Sequence, residues 1–191
     1  KSYGGARTLR EQVTALEGRE DAVTRTSVAA RIEEIRRELD LDAVLLLDSR
    51  AQLLAAAGDP GFRELSGAFL ERARSALGSG EMLSAYLHRD SQADGGSVLV
   101  DDVVPLAGPV AGAAAVGALV LREDARRRMF RLIRDLGPGE TDEALLVRRD
   151  GDEVLYLSDV RYLEDAALRL RRPLDDADLP AARALRGASV E

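Results

Sequence analysis

The one histidine of the chain, His88, lies in the triplet His88-Arg89-Asp90, where an imidazole near a carboxylate could perform acid–base chemistry. The catalytic loop of protein kinases contains the same triplet, but the glycine-rich phosphate loop, the paired lysine and the Asp-Phe-Gly segment of those enzymes are absent here. No Gly-x-Ser-x-Gly motif indicates a serine nucleophile either. We therefore expect no catalysis from this chain. His88 either closes the end of a strand or contacts a bound ligand.

Two adjacent carboxylates, Asp101 and Asp102, lie inside an otherwise apolar stretch. Because side chains alternate on a strand, one of the two faces inward. A buried carboxylate is costly unless an arginine, a backbone donor or a polar ligand pairs with it. Together with Tyr86, His88 and Arg89 on the preceding predicted strand, these two residues form the predicted small-ligand site. The alternative is that the aspartates are solvated and that Tyr86 fills the core.

Metal and cofactor chemistry is not indicated by the residues present. Cysteine is absent, which excludes thiolate catalysis, cysteine-based zinc sites and disulfides, and a lone histidine cannot form a multi-histidine site. The acidic group Asp175, Asp176 and Asp178 lacks the alternating ligands, glycine and terminal glutamate of a calcium loop. We expect these aspartates to cap the helix that follows them. The sequence predicts neither a metal nor a cofactor.

Composition limits the classes of protein further. The chain has 191 residues, of which 46% are hydrophobic and 32% charged, values typical of a folded globular protein. Its net charge of −7 argues against a nucleic-acid partner, which needs a basic surface. No apolar run approaches the ~20 residues of a membrane-spanning helix, and no signal peptide opens the sequence. We expect the chain to be a fragment of a longer protein.

The elements that position the candidate residues follow from periodicity and chain breakers. Strands are predicted at 43–48, 51–57, 81–88, 97–107 and 115–123, and a helix after Gly61 that ends at Gly78-Ser79-Gly80. Strands joined by sequential hairpins pair in antiparallel fashion. The predicted fold class is therefore α+β, with a five-stranded antiparallel sheet over residues 41–123.

Residues 1–40 are predicted to form one long helix, because apolar residues recur at steps of three and four. Such a helix would be ~60 Å long, which exceeds what one module of this size can cover. Its N-terminal half, from Leu9 to Val23, would then expose apolar side chains unless a second copy covered them. We expect a weak homodimer through this helix. The alternative is that the helix only packs on its own domain.

A second module is predicted after a connecting helix over 124–139 that Gly137-Pro138-Gly139 ends. The module starts near Glu140 and covers 140–191. Its strands are predicted at 143–149 and 153–159, joined by the turn Asp150-Gly151, with a further extended segment at 166–172 and a helix from Asp178 to Arg186. The hairpin-then-helix pattern thus begins again, but the strands that would complete a second sheet are not in the sequence. Either a tail is missing or the second module is degenerate.

The order of these elements, with the segments YLHRD, VDDVVPL, VGALVLRED and EALLVRRDGDEVLYLSD, resembles the tandem PDC or Cache domains of bacterial sensor histidine kinases. These domains are extracytoplasmic and PAS-like. The resemblance covers most of the chain and implies a five-stranded sheet of PAS-like order, then a second, partial PAS-like module. It also implies a first, membrane-distal module at 41–123 and a membrane-proximal one at 140–191.

The resemblance further implies a ligand-sensing domain without catalytic residues, periplasmic or extracellular, in a parent chain anchored in the inner membrane. An unknown small molecule would bind the first module and shift the long helices toward the output domain, a change in the population of two states. The parent would be a histidine kinase, although a cyclase or chemoreceptor output is also open. Two alternatives are an intracellular PAS-like or helix-mediated dimerisation module without a ligand, and a hydrolase that uses His88 and Asp90.

Overall fold

The computed structural model describes residues 3–18, 22–89, 96–108, 110, 112–135, 143–163 and 165–187. Contacts divide the chain into two units. The first comprises Lys1–Tyr86 with Leu99–Glu123, and the second comprises Leu87–Val98 with Asp124–Glu191. The expected end of the connecting helix at Gly137-Pro138-Gly139 and the expected start of a module at Glu140 lie outside the described residues. The predicted domain boundaries therefore stay predictions.

Five strands form the main sheet, and the predicted α+β class is confirmed. The strands are β1 (Ala43–Asp48), β2 (Leu53–Gly58), β3 (Leu83–Arg89), β4 (Val98–Leu106) and β5 (Gly117–Asp124). Their order across the sheet is β2-β1-β5-β4-β3, so the first and the last of these five strands are neighbours within the sheet. The sheet is antiparallel, as the sequential hairpins predicted.

The central strand β1 shows why the sheet is stable. All six of its residues are buried, because β2 and β5 flank it and both of its faces are covered. Leu45 and Leu47 pack in one apolar cluster with Phe69 of helix α3 (Gly67–Ser79), while Val44 and Leu46 pack in a second cluster on the opposite face. The period-2 alternation of a strand thus assigns successive side chains to two cores.

The predicted helix over 1–40 is present as two helices, α1 (Tyr3–Gly18) and α2 (Ala22–Glu38). The Nε2 of Gln12 donates to the Oγ of Ser27 at 3.0 Å. In one straight helix these residues would be about 22 Å apart along the axis. The chain therefore reverses between α1 and α2, and the two helices form a hairpin.

This hairpin changes the role of the apolar stripe. Leu9 and Val13 of α1 and Val28 and Ile32 of α2 are 0–1% exposed and join the second apolar cluster. The expectation that Leu9 and Val13 need a second copy to cover them is thus not met, because their own unit covers them. Val23, in the first turn of α2, is 76% exposed.

The second unit contains a smaller, three-stranded antiparallel sheet of order β6-β7-β8 and two short helices. Its elements are α4 (Met129–Asp135), β6 (Val147–Asp150), β7 (Glu153–Tyr156), β8 (Arg171–Pro173) and α5 (Pro180–Leu185). The predicted hairpin between β6 and β7 is present, but its turn is Gly151-Asp152, one residue later than predicted, because Asp150 still pairs with Glu153. Gly151 has the left-handed φ of 64° that favours glycine. The buried residues of this unit's apolar core are Val154, Tyr156, Leu174 and Ala182.

The capping expected of Asp175, Asp176 and Asp178 is not what the structure shows. The N-cap residue of α5 is Leu179, and no side chain donates or accepts a capping hydrogen bond there. Asp176 instead accepts the backbone N–H of Asp178 at 3.0 Å, a turn contact before the helix.

Among the described residues, none of the helices is long and apolar enough to cross a membrane.

Candidate functional site

Asp101 is the inward member of the predicted aspartate pair, and it is fully buried. Arg122 of β5 holds both of its oxygens, with Nε–Oδ1 and Nη2–Oδ2 distances of 2.7 Å each. The Nη1 of Arg122 donates to the carbonyls of Phe62 and Glu64 at 2.9 and 2.7 Å. Its guanidinium carbon lies 5.3 Å from the centroid of the Phe69 ring. The buried charge of Asp101 is therefore neutralised within the protein, in a pair that fixes the loop before α3.

Sequence reasoning missed Arg122, although a signal for it exists. Ala118, Val120 and Arg122 are spaced by two on β5, and the first two belong to the apolar cluster under α3. The same alternation places Asp101 and Val103 of β4 on one face, with Val103 in that cluster. An inward arginine beside an inward aspartate on neighbouring strands predicts an ion pair.

Asp102 is half-buried, and its Oδ1 accepts the backbone N–H of Ala85 at 2.7 Å. Ala85 has a φ of 52°, in the left-handed region that non-glycine residues seldom adopt. The predicted alternation along β3 fails at this residue, because its backbone departs from the extended form. Leu83 and Tyr86, predicted on opposite faces, both pack against the cluster under α3.

Tyr86 is half-buried at the margin of that cluster. Its ring centroid lies 6.4 Å from that of Phe69, and the guanidinium carbon of Arg72 on α3 lies 5.9 Å from its own centroid. Tyr86 therefore presents an aromatic face to a cation and an apolar edge to the core. Within the first unit, Tyr86 and the Asp101–Arg122 pair are both neighbours of Phe69.

His88 and Arg89 belong to the second unit. The Arg89 side chain, 14% exposed, donates to the carbonyls of Gly96, Asp165 and Ala167 and to the Asp165 carboxylate. Its Nε, Nη1 and Nη2 all have acceptors, so Arg89 holds a loop of its own unit. His88 is half-buried, and its Nδ1 lies 3.4 Å from the carbonyl oxygen of Arg89. Asp90 lies outside the described residues.

A second group of charged residues, unpredicted from the sequence, surrounds Asp165. Arg126 contacts Asp159 through Nε–Oδ2 at 2.5 Å and Asp165 through Nη2–Oδ1 at 2.9 Å. Hydrogen bonds from Arg89 and then Arg126 lower the pKa of Asp165 to about 2. Burial raises the pKa of Asp159, but hydrogen bonds from Arg126 and from the N–H of Ala167 outweigh burial and lower it overall. These contacts fix the segment after β7.

The signal that could have drawn attention to Arg126 is compositional. The stretch 126–134 contains five arginines and no acidic residue. Any acidic partner of these arginines must therefore come from another segment of the chain. Arg126 also lines a cavity of the second unit with residues of α4 and of the segments around 143 and 158.

In the parts of the chain that the structure describes, no group of three or more acidic, histidine or cysteine side chains could hold a metal ion.

No protein-family model matches the sequence, and no curated protein matches it. Several solved structures are similar to the structure of this chain, and they include the following three. The extracellular domain of vpHK1S-Z8, assigned as a histidine kinase, gives a TM-score of 0.42 at 12% identity over 86% of this chain and 85% of that chain. A domain from Vibrio parahaemolyticus, assigned to the sensory box/GGDEF family, gives 0.47 at 15% identity over 83% and 68%.

The third structure is the sensor domain of the V. cholerae histidine kinase DctB, with a TM-score of 0.41 at 12% identity over 82% of this chain and 76% of that chain. Two of the three proteins are thus described as extracellular or sensor domains of histidine kinases. At TM-scores below 0.5, the likenesses themselves support no conclusion about ligand or activity.

Proposed function

We propose that this chain is the extracytoplasmic ligand-sensing region of a bacterial transmembrane signalling protein, a two-component sensor histidine kinase. The observation that carries the proposal is the antiparallel strand order β2-β1-β5-β4-β3. In this sheet α3 packs on one face and the α1–α2 hairpin packs on the other. The catalytic domain would lie elsewhere in the parent chain, and this region itself would not be an enzyme.

The proposed ligand site lies on the α3 side of the main sheet. Tyr86 and Asp102 are half-buried, so a small molecule can reach both. Asp101 takes a different role from the predicted one, because both of its oxygens already bind Arg122. We assign Asp101 to positioning Arg122 and the loop carbonyls of Phe62 and Glu64. His88 and Arg89, the other two predicted contacts, belong to the second unit, so we leave both out of this site.

The same ion pair offers a route for the signal. A ligand that displaces the loop before α3 would pull on Arg122 and hence on β4 and β5. Leu119 of β5 and Leu106 of β4 pack in the cluster that holds α1 and α2. A shift of these strands would therefore change the packing of the hairpin. For scale, moving a two-state equilibrium from 1:99 to 99:1 requires about 5.5 kcal/mol of differential binding.

Two measurements test the proposed function. In spheroplasts that make the full-length parent protein, we expect protease added outside to cleave this region while a cytoplasmic marker stays intact. A thermal-shift screen of the purified chain against carboxylates, amino acids, polyamines and sugars should find a binder. Tyr86→Ala should weaken that binder about tenfold, whereas Tyr162→Ala, a change at a 90% exposed side chain, should not. Full protection from protease would contradict the location and favour the intracellular alternative.

A narrower part of the proposal is weak self-association through the helical hairpin. Val23 is the stripe residue that a second copy could still cover, because Leu9 and Val13 are buried within their unit. Sedimentation equilibrium of the chain at millimolar concentration should then show a dimer that Val23→Glu weakens. A strictly monomeric chain under these conditions would refute this part and leave the sensor proposal standing.

A further inference from the structure

The cavity of the second unit has apolar walls and a polar margin. Its volume is about 120 Å³. Phe130 and Ile133 of α4 and Ala144 form the apolar part, and Arg126, Arg134, Glu143, Ser158 and Asp159 complete the lining. Phe130 is 5% exposed and Ser158 is 3% exposed, so the cavity reaches into the interior of the unit.

Several hydrogen-bond donors around this cavity have no acceptor among the described residues. The Nη1 of Arg126 makes no hydrogen bond to any described residue, although Nε and Nη2 are both engaged. Arg134 is exposed and forms no ion pair within the described part of the chain. The Oγ of Ser158 accepts the N–H of Leu146 at 3.0 Å, which leaves the hydroxyl hydrogen for another acceptor.

The acceptor groups, by contrast, are largely occupied. The Oδ2 of Asp159 binds Arg126 Nε, and its Oδ1 lies 3.2 Å from Arg126 Nη2 and accepts the N–H of Ala167 at 3.1 Å. The Oε1 of Glu143 accepts the N–H of Arg161. Most of the groups that can still form a hydrogen bond in this cavity are donors, and two of these donors are on arginines. Such a cavity favours an anion. Its apolar walls select one that carries a short hydrocarbon body.

We propose that this cavity binds a short aliphatic carboxylate. The carboxylate is held by Arg126 and Arg134 with the hydroxyl of Ser158, and the hydrocarbon part lies against Phe130, Ile133 and Ala144. A cavity of about 150 Å³ admits the six carbons of benzene. A cavity of about 120 Å³ therefore takes roughly five heavy atoms, the size of propionate. The site lies wholly in the second unit and does not depend on the chain being a sensor.

The test uses the whole purified chain and propionate as the probe, followed by amide chemical shifts in NMR spectra at constant ionic strength. We expect the amides of Ala144 and Ser158 to shift with a dissociation constant on the order of 1 mM. Propan-1-ol, which has a similar body without the charge, should give no saturable shift. Alanine has the same carboxylate and adds an ammonium group. Its affinity relative to that of propionate shows whether an ammonium group is tolerated near Glu143. The carboxylate site is supported whichever of the two ligands binds more tightly.

Variants decide the assignment. Arg134→Gln should weaken propionate binding about tenfold, and Ala144→Leu should abolish it by filling the cavity. Arg131→Gln is the matched control, because Arg131 is an exposed arginine of the same helix that does not line the cavity. Circular dichroism establishes that each variant is folded. No saturable shift at 50 mM propionate, equal binding of propan-1-ol, or equal losses in the Arg131 and Arg134 variants would each overturn the proposal.

Discussion

Arg122 and Asp101 form a two-point ion pair inside the first unit, with side chains that are 1% and 0% exposed. The two residues are 21 positions apart and lie on neighbouring strands, β5 and β4. Because the remaining donors of Arg122 reach the carbonyls of Phe62 and Glu64, one guanidinium connects two strands and a loop. Removing either charge would leave the other buried without its counter-charge.

Replacing the aspartate tests this arrangement. Asp101→Ala should lower the free energy of unfolding by about 3–5 kcal/mol, because Arg122 becomes an uncompensated buried charge. The measurement is urea unfolding followed by far-UV circular dichroism, since the chain has no tryptophan. Asp102→Ala is the matched control in the same strand and should lose about 0.5–1.5 kcal/mol, the value of its one hydrogen bond to Ala85. Equal losses of unfolding free energy in the two variants would show that the buried ion pair matters no more to stability than one exposed hydrogen bond.

Arg89 is predicted to be structural in the second unit. Arg89→Lys keeps the charge but cannot reproduce the fork of donors to Gly96, Asp165 and Ala167. We expect a loss of about 2–4 kcal/mol and faster amide hydrogen exchange at Leu168 and Leu170 in the segment that Arg89 holds. Arg148→Lys, at an exposed position of β6, serves as the control. Unchanged exchange at these two amides would contradict the assignment.

Acid should destabilise the loop around Asp165. Its pKa is lowered to about 2 in the folded protein by Arg89 and Arg126, below the ordinary value of about 3.9 of an unfolded chain. The unfolded chain thus binds a proton first as the pH falls, so the stabilisation is fully present above about pH 5 and is lost toward pH 2. Asp165→Asn removes this dependence, and asparagine tolerates the φ of 61° at this position.

The measurement for Asp165 is the melting temperature of both proteins at pH 7, 4 and 2.5. We expect the difference between wild type and Asp165→Asn to be largest at pH 7 and to shrink as the pH falls. Asp178→Asn is the control, because Asp178 is exposed and no ion pair involves it within the described residues. A difference that is constant from pH 7 to 2.5 would show that the charge of Asp165 is irrelevant to stability.

The helical hairpin predicts opposite results for two valines. Val13 is 0% exposed and Val23 is 76% exposed. Val13→Glu buries a carboxylate without a partner and should lower the free energy of unfolding by about 3 kcal/mol or more. Val23→Glu should change it by less than about 0.5 kcal/mol. Urea unfolding with sedimentation analysis separates the effects, and an unfolding midpoint unchanged by Val13→Glu would mean that α1 does not pack on its unit.

The strands illustrate what local pattern can predict. The run Ala43–Asp48 became β1 at its predicted bounds, and the other four strands of the main sheet lie within two residues of theirs. Both results depend on alternation and on breakers such as Gly58 and Gly80, which act over a few residues. The spatial order of the strands came from a resemblance instead, because hydrophobic alternation does not state which strands are neighbours.

Residues 1–40 show where a pattern is insufficient. The apolar steps of three and four suit one long helix and two packed helices equally well. The reversal is decided by packing, since Leu9 and Val13 gain burial only when α1 folds back on α2 and the sheet. The left-handed backbone at Ala85 is likewise held by Asp102 from another strand.

By itself, then, the sequence determined the fold class, the strands of the main sheet and the hairpin that turns at Gly151, because each depends on near neighbours in the chain. The tertiary structure decided which charges meet. Asp101 pairs with Arg122 at a separation of 21 residues, and Arg89 with Asp165 at 76. Nothing local distinguishes these arginines from the many exposed ones, because an ion pair requires only that folding bring two side chains within about 4 Å. The predicted ligand-site residues therefore stay a prediction, because the partners of these polar side chains, and hence their structural roles, depended on the fold.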